Sequence, residues 1–195
     1  MGIEKLLQIR TNNLSPSRGH VLISEPLMGD YYFGRSVVLL AEHNEEGSFG
    51  LIMNKPLRSN FNDVVKGFPD FEVPVYLGGP VQTDSLFFIH LLGDEIPESN
   101  EVLRGLYWGG NLETVREMIQ LNAIRPDQIR FYIGYSGWDA NQLELELQRN
   151  SWLVSTATAR SLMQTKPEKM WDRFLRRMGN DYRLWHNFPN DPQQN

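Results

Sequence analysis

Ser36-Val37-Val38-Leu39-Leu40-Ala41-Glu42 and Phe49-Gly50-Leu51-Ile52-Met53-Asn54 stand on either side of Asn44-Glu45-Glu46-Gly47-Ser48. Two apolar runs of strand length, joined by a short loop of residues that tolerate positive φ, predict a β-hairpin. The first run is rich in Val and Leu and reads as a buried strand. The run Val37 to Ala41 is also the longest apolar stretch, far short of the roughly 20 residues of a membrane span.

Working outward, residues 20–25 read as a strand ended by Pro26, and residues 73–77, 86–92, 129–135 and 152–156 as further strands. Residues 102–108 read as extended. Residues 1–18 read as a short helix and an irregular lead-in, with Ser15-Pro16-Ser17 as a breaker. Residues 62–66 suit a turn or two of helix. Asn111 is a good N-cap for a helix placing Leu112, Val115, Met118 and Ile119 on one face. Asp139 with Gln142, and Thr165 with Glu168, have capping-box spacing. In the last helix Met170, Trp171, Phe174, Leu175 and Met178 share a stripe, and Gly179 is the stop. The tail 187–195, rich in Pro, Asn and Gln, reads as loosely held. Strands dominate the first half and helices the second, over hairpin-scale connections. That favours α+β over a doubly wound parallel sheet. A length of 195 residues suits a single domain.

Composition narrows the function classes. There is no Cys, hence no disulfide, thiolate ligand or Cys nucleophile. The net charge of −5 opposes broad attraction to nucleic acid, and no helix-turn-helix pair with a basic recognition helix is evident. Nucleic acid is therefore not an expected partner. Arg173-Phe174-Leu175-Arg176-Arg177 is the best candidate for a local basic patch. Met1-Gly2-Ile3-Glu4-Lys5-Leu6-Leu7 lacks the basic and apolar regions of a signal peptide, so the expected compartment is the cytoplasm, with no membrane association.

Candidate chemistry is sparse. Glu42 and His43 end one strand of the hairpin while Asn54 and Lys55 end the other, and a tight hairpin would gather them into a polar cluster. A carboxylate beside an imidazole is the raw material of general acid–base work. Adjacent strand residues point to opposite faces, however, so Glu42 and His43 share one site only if the strand is bulged. Gly78-Gly79-Pro80 invites an anion-loop reading but lacks the Lys-Ser/Thr of a P-loop. A sharp connection between strands is the simpler expectation, with Asp84 and Ser85 as turn or cap residues. Gly134-Tyr135-Ser136-Gly137-Trp138 approaches the nucleophile elbow Gly-x-Ser-x-Gly but carries Trp138 at its last position. The only His after Ser136 is His186, close behind Asp172 and Asp181. The expected role of the segment is therefore structural: a turn at Gly137, a local bond from Ser136, and Tyr135 and Trp138 anchoring the next helix. No pair of the four histidines has helical ligand spacing, so neither metal nor cofactor is expected. His90, among Phe87-Phe88-Ile89 and Leu91-Leu92, reads as a hydrogen-bonded strand residue.

Three dense segments taken together carry a resemblance. They are Gly19-His20-Val21-Leu22-Ile23-Ser24-Glu25-Pro26 running on to Met53-Asn54-Lys55-Pro56, then Leu77-Gly78-Gly79-Pro80-Val81-Gln82-Thr83-Asp84-Ser85-Leu86, then Gly134-Tyr135-Ser136-Gly137-Trp138 with the stretch to Val154. In this order, over roughly residues 14–190, the chain resembles the YqgE/AlgH family of bacterial proteins. The resemblance implies a mixed, mostly antiparallel bent sheet curled into a partial barrel, with helices packed around it. It implies no established activity, although some members carry the label of transcriptional regulator. The expected function is a non-enzymatic binding or regulatory module for a small molecule or a protein partner. The alternative is a hydrolase using the Glu42/His43/Asn54/Lys55 cluster or Ser136.

Overall fold

The computed structural model describes residues 12, 14–179, 182 and 185. Most of the expected lead-in helix, the tail from residue 187, Asp181 and His186 lie outside them. The strands are β1 (His20–Ser24), β2 (Val37–Asn44), β3 (Gly47–Ile52), β4 (Pro56–Asn60), β5 (Pro74–Leu77), β6 (Val81–His90), β7 (Asn100–Leu103), β8 (Leu106–Trp108), β9 (Ile129–Asp139) and β10 (Trp152–Thr156). The helices are α1 (Phe61–Val64), α2 (Leu112–Gln120), α3 (Gln142–Gln148), α4 (Ala159–Met163) and α5 (Pro167–Arg177).

All ten strands join one sheet, ordered β10-β1-β2-β3-β9-β6-β8-β7, with β4 on β5 and β5 on β9. Every pairing is antiparallel except β5 with β9. The outer strands β10 and β7 do not meet, so this mixed α+β sheet stays open. The β2–β3 hairpin forms as the sequence predicts. It closes through the two-residue turn Glu45-Glu46, pairs Asn44 with Gly47, and runs to Val38 opposite Ile52. A register shift between Leu40 and Glu42 bulges β2.

Both faces of the β1–β3 region are covered, which explains the unbroken apolar runs. Val21, Ile23, Val37, Leu39 and Leu51 pack with Met170, Trp171, Phe174 and Leu175, the predicted stripe of α5. Leu22, Val38, Leu40 and Ile52 pack on the other side with Trp138, Leu143 and Trp152. A further cluster joins Phe61, Val75, Phe88 and Phe131 to Val115 and Ile119 of α2.

Several expectations are corrected. The sequence suggests a turn at Gly137. Instead β9 continues to Asp139, because Gly50 to Gly47 of β3 pair with Ser136 to Asp139 and prolong the ladder. Asp84 and Ser85 lie within β6 rather than in a turn, since β6 is already paired at Val81 with Tyr135. Residues 56–60, given no element in the sequence, form β4, with Pro56 tolerated because β4 is an edge strand. Residues 102–108 fold as β7 and β8 around Arg104-Gly105. Asn141, not Asp139, caps α3, although the Gln142 side chain does accept from the Asp139 N–H at 3.0 Å. Helix α4, absent from the sequence reading, starts at a capping box of Thr158 and Ser161. Thr165 closes that helix by donating to Ser161 O at 2.7 Å and so does not cap α5, whose N-cap is Lys166.

The position of β9 depends on a backbone crossing. Phe131, Tyr132 and Ile133 pair with β5 on one edge and β6 on the other. The three residues Gly78-Gly79-Pro80 carry the chain from β5 to β6 across β9. A Cβ at Gly78 would lie 2.0 Å from Gly134 O, one at Gly79 2.3 Å from Tyr135 C, and one at Gly134 2.6 Å from Gly79 O. Gly134 also has φ +69, in the left-handed region. Gly78→Ala or Gly134→Ala should therefore destabilise the fold by about 3 kcal/mol or more, since rigid backbone sits where the methyl must go. Ser136→Ala, which removes one hydrogen bond near the crossing, should lose only about 1 kcal/mol. Urea unfolding midpoints of the three variants check the ranking.

Candidate functional site

A groove of about 500 Å³ opens where the β2–β3 tip, the end of β9 and the start of α3 meet. Strand alternation builds it. The register sets Glu42 opposite Phe49, and Phe49 opposite Gly137, so these three share one face with Tyr135 and Asp139, two residues to either side of Gly137 on β9. Gly137 contributes no side chain and leaves the floor low. The Tyr135 ring lies beside it, its Cε2 3.0 Å from where a Cβ would stand. Phe49 stacks within 4.8 Å of both Tyr135 and Trp108, which holds the wall rigid. Glu46 and Asp139 join Glu42 at the rim, giving three carboxylates around aromatic walls.

The opposite face of the same strands points toward α3. His43 faces Ser48 across the hairpin, with His43 Nδ1 2.8 Å from Ser48 Oγ and Nε2 3.8 Å from Glu144 Oε1. The β2 bulge therefore does not turn Glu42 and His43 to a common site. Trp138 is buried on this face, and its Nε1 donates to Glu146 Oε2 at 3.0 Å. Trp152 Nε1 donates to the same oxygen at 2.7 Å. One carboxylate of α3 thus fastens two buried indoles from β9 and β10, so Trp138 does anchor the following helix.

The structure does not gather the four-residue polar cluster. Met53 N–H donates to Val37 O, and Asn54 Oδ1 accepts from Val37 N–H at 2.9 Å while its Nδ2 donates to Arg35 O. Asn54 and Lys55 therefore lie at the far end of β2, six residues or about 20 Å from Glu42. The separation follows from the hairpin register, because a two-residue turn makes residue 43 face 48, not 54. Lys55 Nζ donates to Tyr31 O at 3.1 Å, and burial pulls its pKa down against the opposing pull of Asp30. Gly78 and Gly79 form the crossing, where the Gly78 N–H donates to Ile133 O. Asp84 is exposed on β6 and accepts from Ser85 Oγ. Ser136 is fully buried and donates to Gly78 O at 3.0 Å, a bond to a carbonyl 58 residues away. Ser48, Glu46, Asp139 and Glu144 are the residues the sequence reading missed. The length of the hairpin turn is the signal that would have paired Ser48 with His43.

His90 is buried, and burial lowers its pKa to about 4. Its Nδ1 accepts from Leu92 N–H at 3.3 Å, which leaves the proton on Nε2, facing Ser99 Oγ at 2.9 Å and Gly109 O at 3.2 Å. A neutral ring with that tautomer donates to Ser99 and is no base for it. Among the described residues no group of three or more His, Asp or Glu side chains is placed to hold a metal ion.

Comparison with known proteins places this geometry. The AlgH-like family model, a domain of unknown function, matches residues 21–183, and the chain belongs to that family. A UPF0301 protein of Bacteroides thetaiotaomicron is 45% identical over 192 residues, covering 97% of each chain. A UPF0301 protein of Chlorobaculum parvum is 40% identical over 177 residues, covering 91% of this chain and 95% of the relative. The solution structure of AlgH from Pseudomonas aeruginosa superposes with a TM-score of 0.71 at 32% identity, over 92% of this chain and 98% of that one. A protein of Corynebacterium diphtheriae shares the fold at TM-score 0.75 and 23% identity, over 96% of this chain and 100% of that one.

Two expected outcomes follow from the contacts. Glu146→Leu removes the shared acceptor of two buried indole N–H groups and should destabilise by about 2–4 kcal/mol, read as a lower denaturation midpoint. His90 titrates near 6.5 when unfolded and about 4 when folded. Its contribution is therefore full above pH 6.5 and is lost as pH falls through 4, a change of about 3 kcal/mol. The melting temperature of His90→Gln should fall less between pH 6.5 and 4 than that of the unsubstituted protein.

Proposed function

We propose that this AlgH-like protein is a cytoplasmic, non-enzymatic binding or regulatory module whose ligand surface is the groove between the β2–β3 tip, β9 and α3. One observation carries the reading. The side chains that would do chemistry are committed to the fold, while the groove presents Glu42, Glu46 and Asp139 around the rings of Phe49 and Tyr135. Carboxylates beside π faces favour a cation, through charge attraction and the negative face of the ring. The ligand class is thus an amine or guanidinium, carried by a small molecule or by a side chain of a protein partner. A nucleic-acid backbone would meet the same carboxylates and be repelled.

The test is a thermal-shift screen that sets amines such as spermidine and arginine esters against carboxylates and phosphates of similar size. A ligand that binds only the native state raises the melting temperature, by an amount equivalent to about 2.7 kcal/mol at 100 times its Kd. An amine should raise it, and Glu42→Gln with Asp139→Asn should abolish the rise. A rise unchanged in that double variant, or produced only by anions, overturns the reading.

A hydrolase reading has one observation in its favour. Ser48 borders the groove with its side chain on the face turned toward α3, and its Oγ is 2.8 Å from His43 Nδ1, with Glu144 beyond the ring. Against it, Ser48 and His43 are directly opposed across a hairpin, where a side-chain hydrogen bond is an ordinary outcome, and 3.8 Å exceeds hydrogen-bond reach. A fluorophosphonate probe decides between the two readings. The binding module predicts no labelling above the level of Ser48→Ala, whereas stoichiometric labelling at Ser48 establishes the hydrolase.

A further inference from the structure

One face of α5 carries charge opposite to that of the whole molecule. Lys166, Lys169, Arg173, Arg176 and Arg177 are all exposed, in a chain of net charge −5. At 100° per residue their positions fall within an arc of about 100°, along about 16 Å of helix axis. They line a concavity of about 800 Å³, closed at one side by Gln164 and the buried Thr165, with Asp172 as its single carboxylate. The buried face of α5 is a separate stripe, so none of the five cations belongs to the apolar core.

Part of this surface is set in place in advance. The Arg173 guanidinium donates to Thr165 Oγ1 at 3.1 Å, and that hydroxyl is itself fixed by its bond to Ser161 O. The Arg177 guanidinium lies over the Phe174 ring at 5.6 Å. The ammonium groups of Lys166 and Lys169 make no hydrogen bond or ion pair among the described residues. Five cations held on one side of a cavity repel one another, and an anion between them relieves the repulsion.

We propose that this groove binds a small oligoanion of the oligophosphate class, a short phosphate chain that is either free or the tail of a nucleotide. The site shares no residue with the carboxylate groove and does not depend on its ligand. Its volume lies within the roughly 300–1,000 Å³ of small-ligand pockets. Arginine forks match phosphate oxygens two at a time, and lysines supply point charges. A long nucleic acid fits less well. It would overrun the groove onto a net-negative surface, and Trp171 and Phe174 are turned into the core, leaving no platform on which bases stack. An acidic strand spaces single charges about 6–7 Å apart, too sparse for five cations along 16 Å.

Titration calorimetry of the full chain with sodium tripolyphosphate at low salt tests the proposal. One-to-one binding is expected, weakened at least tenfold by Lys166→Ala with Lys169→Ala and weakened again as salt is raised. Circular dichroism melts of that double variant should match those of the unsubstituted protein, because neither ammonium has a partner to lose among the described residues. A second arm uses a magnesium-free nucleoside triphosphate. Tighter binding than tripolyphosphate assigns the phosphates to a nucleotide tail, and weaker binding assigns them to a free chain. The proposal is overturned by the absence of binding, by equal binding in a folded double variant, or by a 20-mer oligonucleotide binding more tightly. Sulfate at matched ionic strength giving the same response, an adventitious ion only, overturns it as well.

Discussion

The fold depends on the passage of the backbone over its own central strand. Between β5 and β6 only three residues are available to move from one edge of β9 to the other. A span that short must lie directly against β9, and the contact at Gly134 is backbone on backbone. The carbonyl of Gly78 then accepts from both Ile52 N–H and Ser136 Oγ, while Gly78 N–H donates to Ile133 O. A single residue therefore ties β3, the end of β5 and β9 together. The one parallel pairing in the sheet, β5 with β9, is the topological consequence of that crossing.

The groove is a downstream effect of the same constraint. Beyond Gly134, β9 pairs with β3 rather than β5, which brings the hairpin tip alongside residues 136–139. Period-two alternation then divides the segment by role. Tyr135, Gly137 and Asp139 form the open face, and Ser136 and Trp138 form the closed one. On the closed face, Glu146 receives both indole N–H groups, so α3 cannot slide relative to β9 and β10 without leaving buried donors unsatisfied. The rim that carries Asp139 and Gln142 is rigid for that reason.

What the sequence made legible was local. The hairpin, the limits of β10, the Asn111 cap of α2 and the apolar stripe of α5 all follow from periodicity or turn chemistry within a dozen residues. The misreadings came from contacts that residue type does not reveal. Gly137 looks like a turn residue, yet it sits in an unbroken ladder with β3, and the strand residue Gly134 is required by a chain segment more than fifty residues earlier. Thr165 matches a capping box by spacing, but its hydroxyl was already engaged by the preceding helix. Of the candidate site residues, Glu42 and Tyr135 face the groove, while Asn54 and Lys55 lie about 20 Å away because the short turn pairs residue 42 with 49 and carries residue 54 to the far end of β2. Residue type identified the polar positions, and register decided which of them could meet.

Net charge conceals how this molecule distributes its charge. A value of −5 predicts indifference to anions only if charge is spread evenly, and here it is not. Carboxylates gather at the hairpin tip and the start of α3, and cations gather along one face of α5. At physiological ionic strength fields decay over about 8 Å, so a ligand within either groove responds to the nearest side chains and hardly to the total. The total acts earlier, during approach. It weighs more on a long polyanion, which spans both charge patches, than on a compact one. A long polyanion is therefore governed by the sum of the charges, and a compact one against α5 by the five cations there.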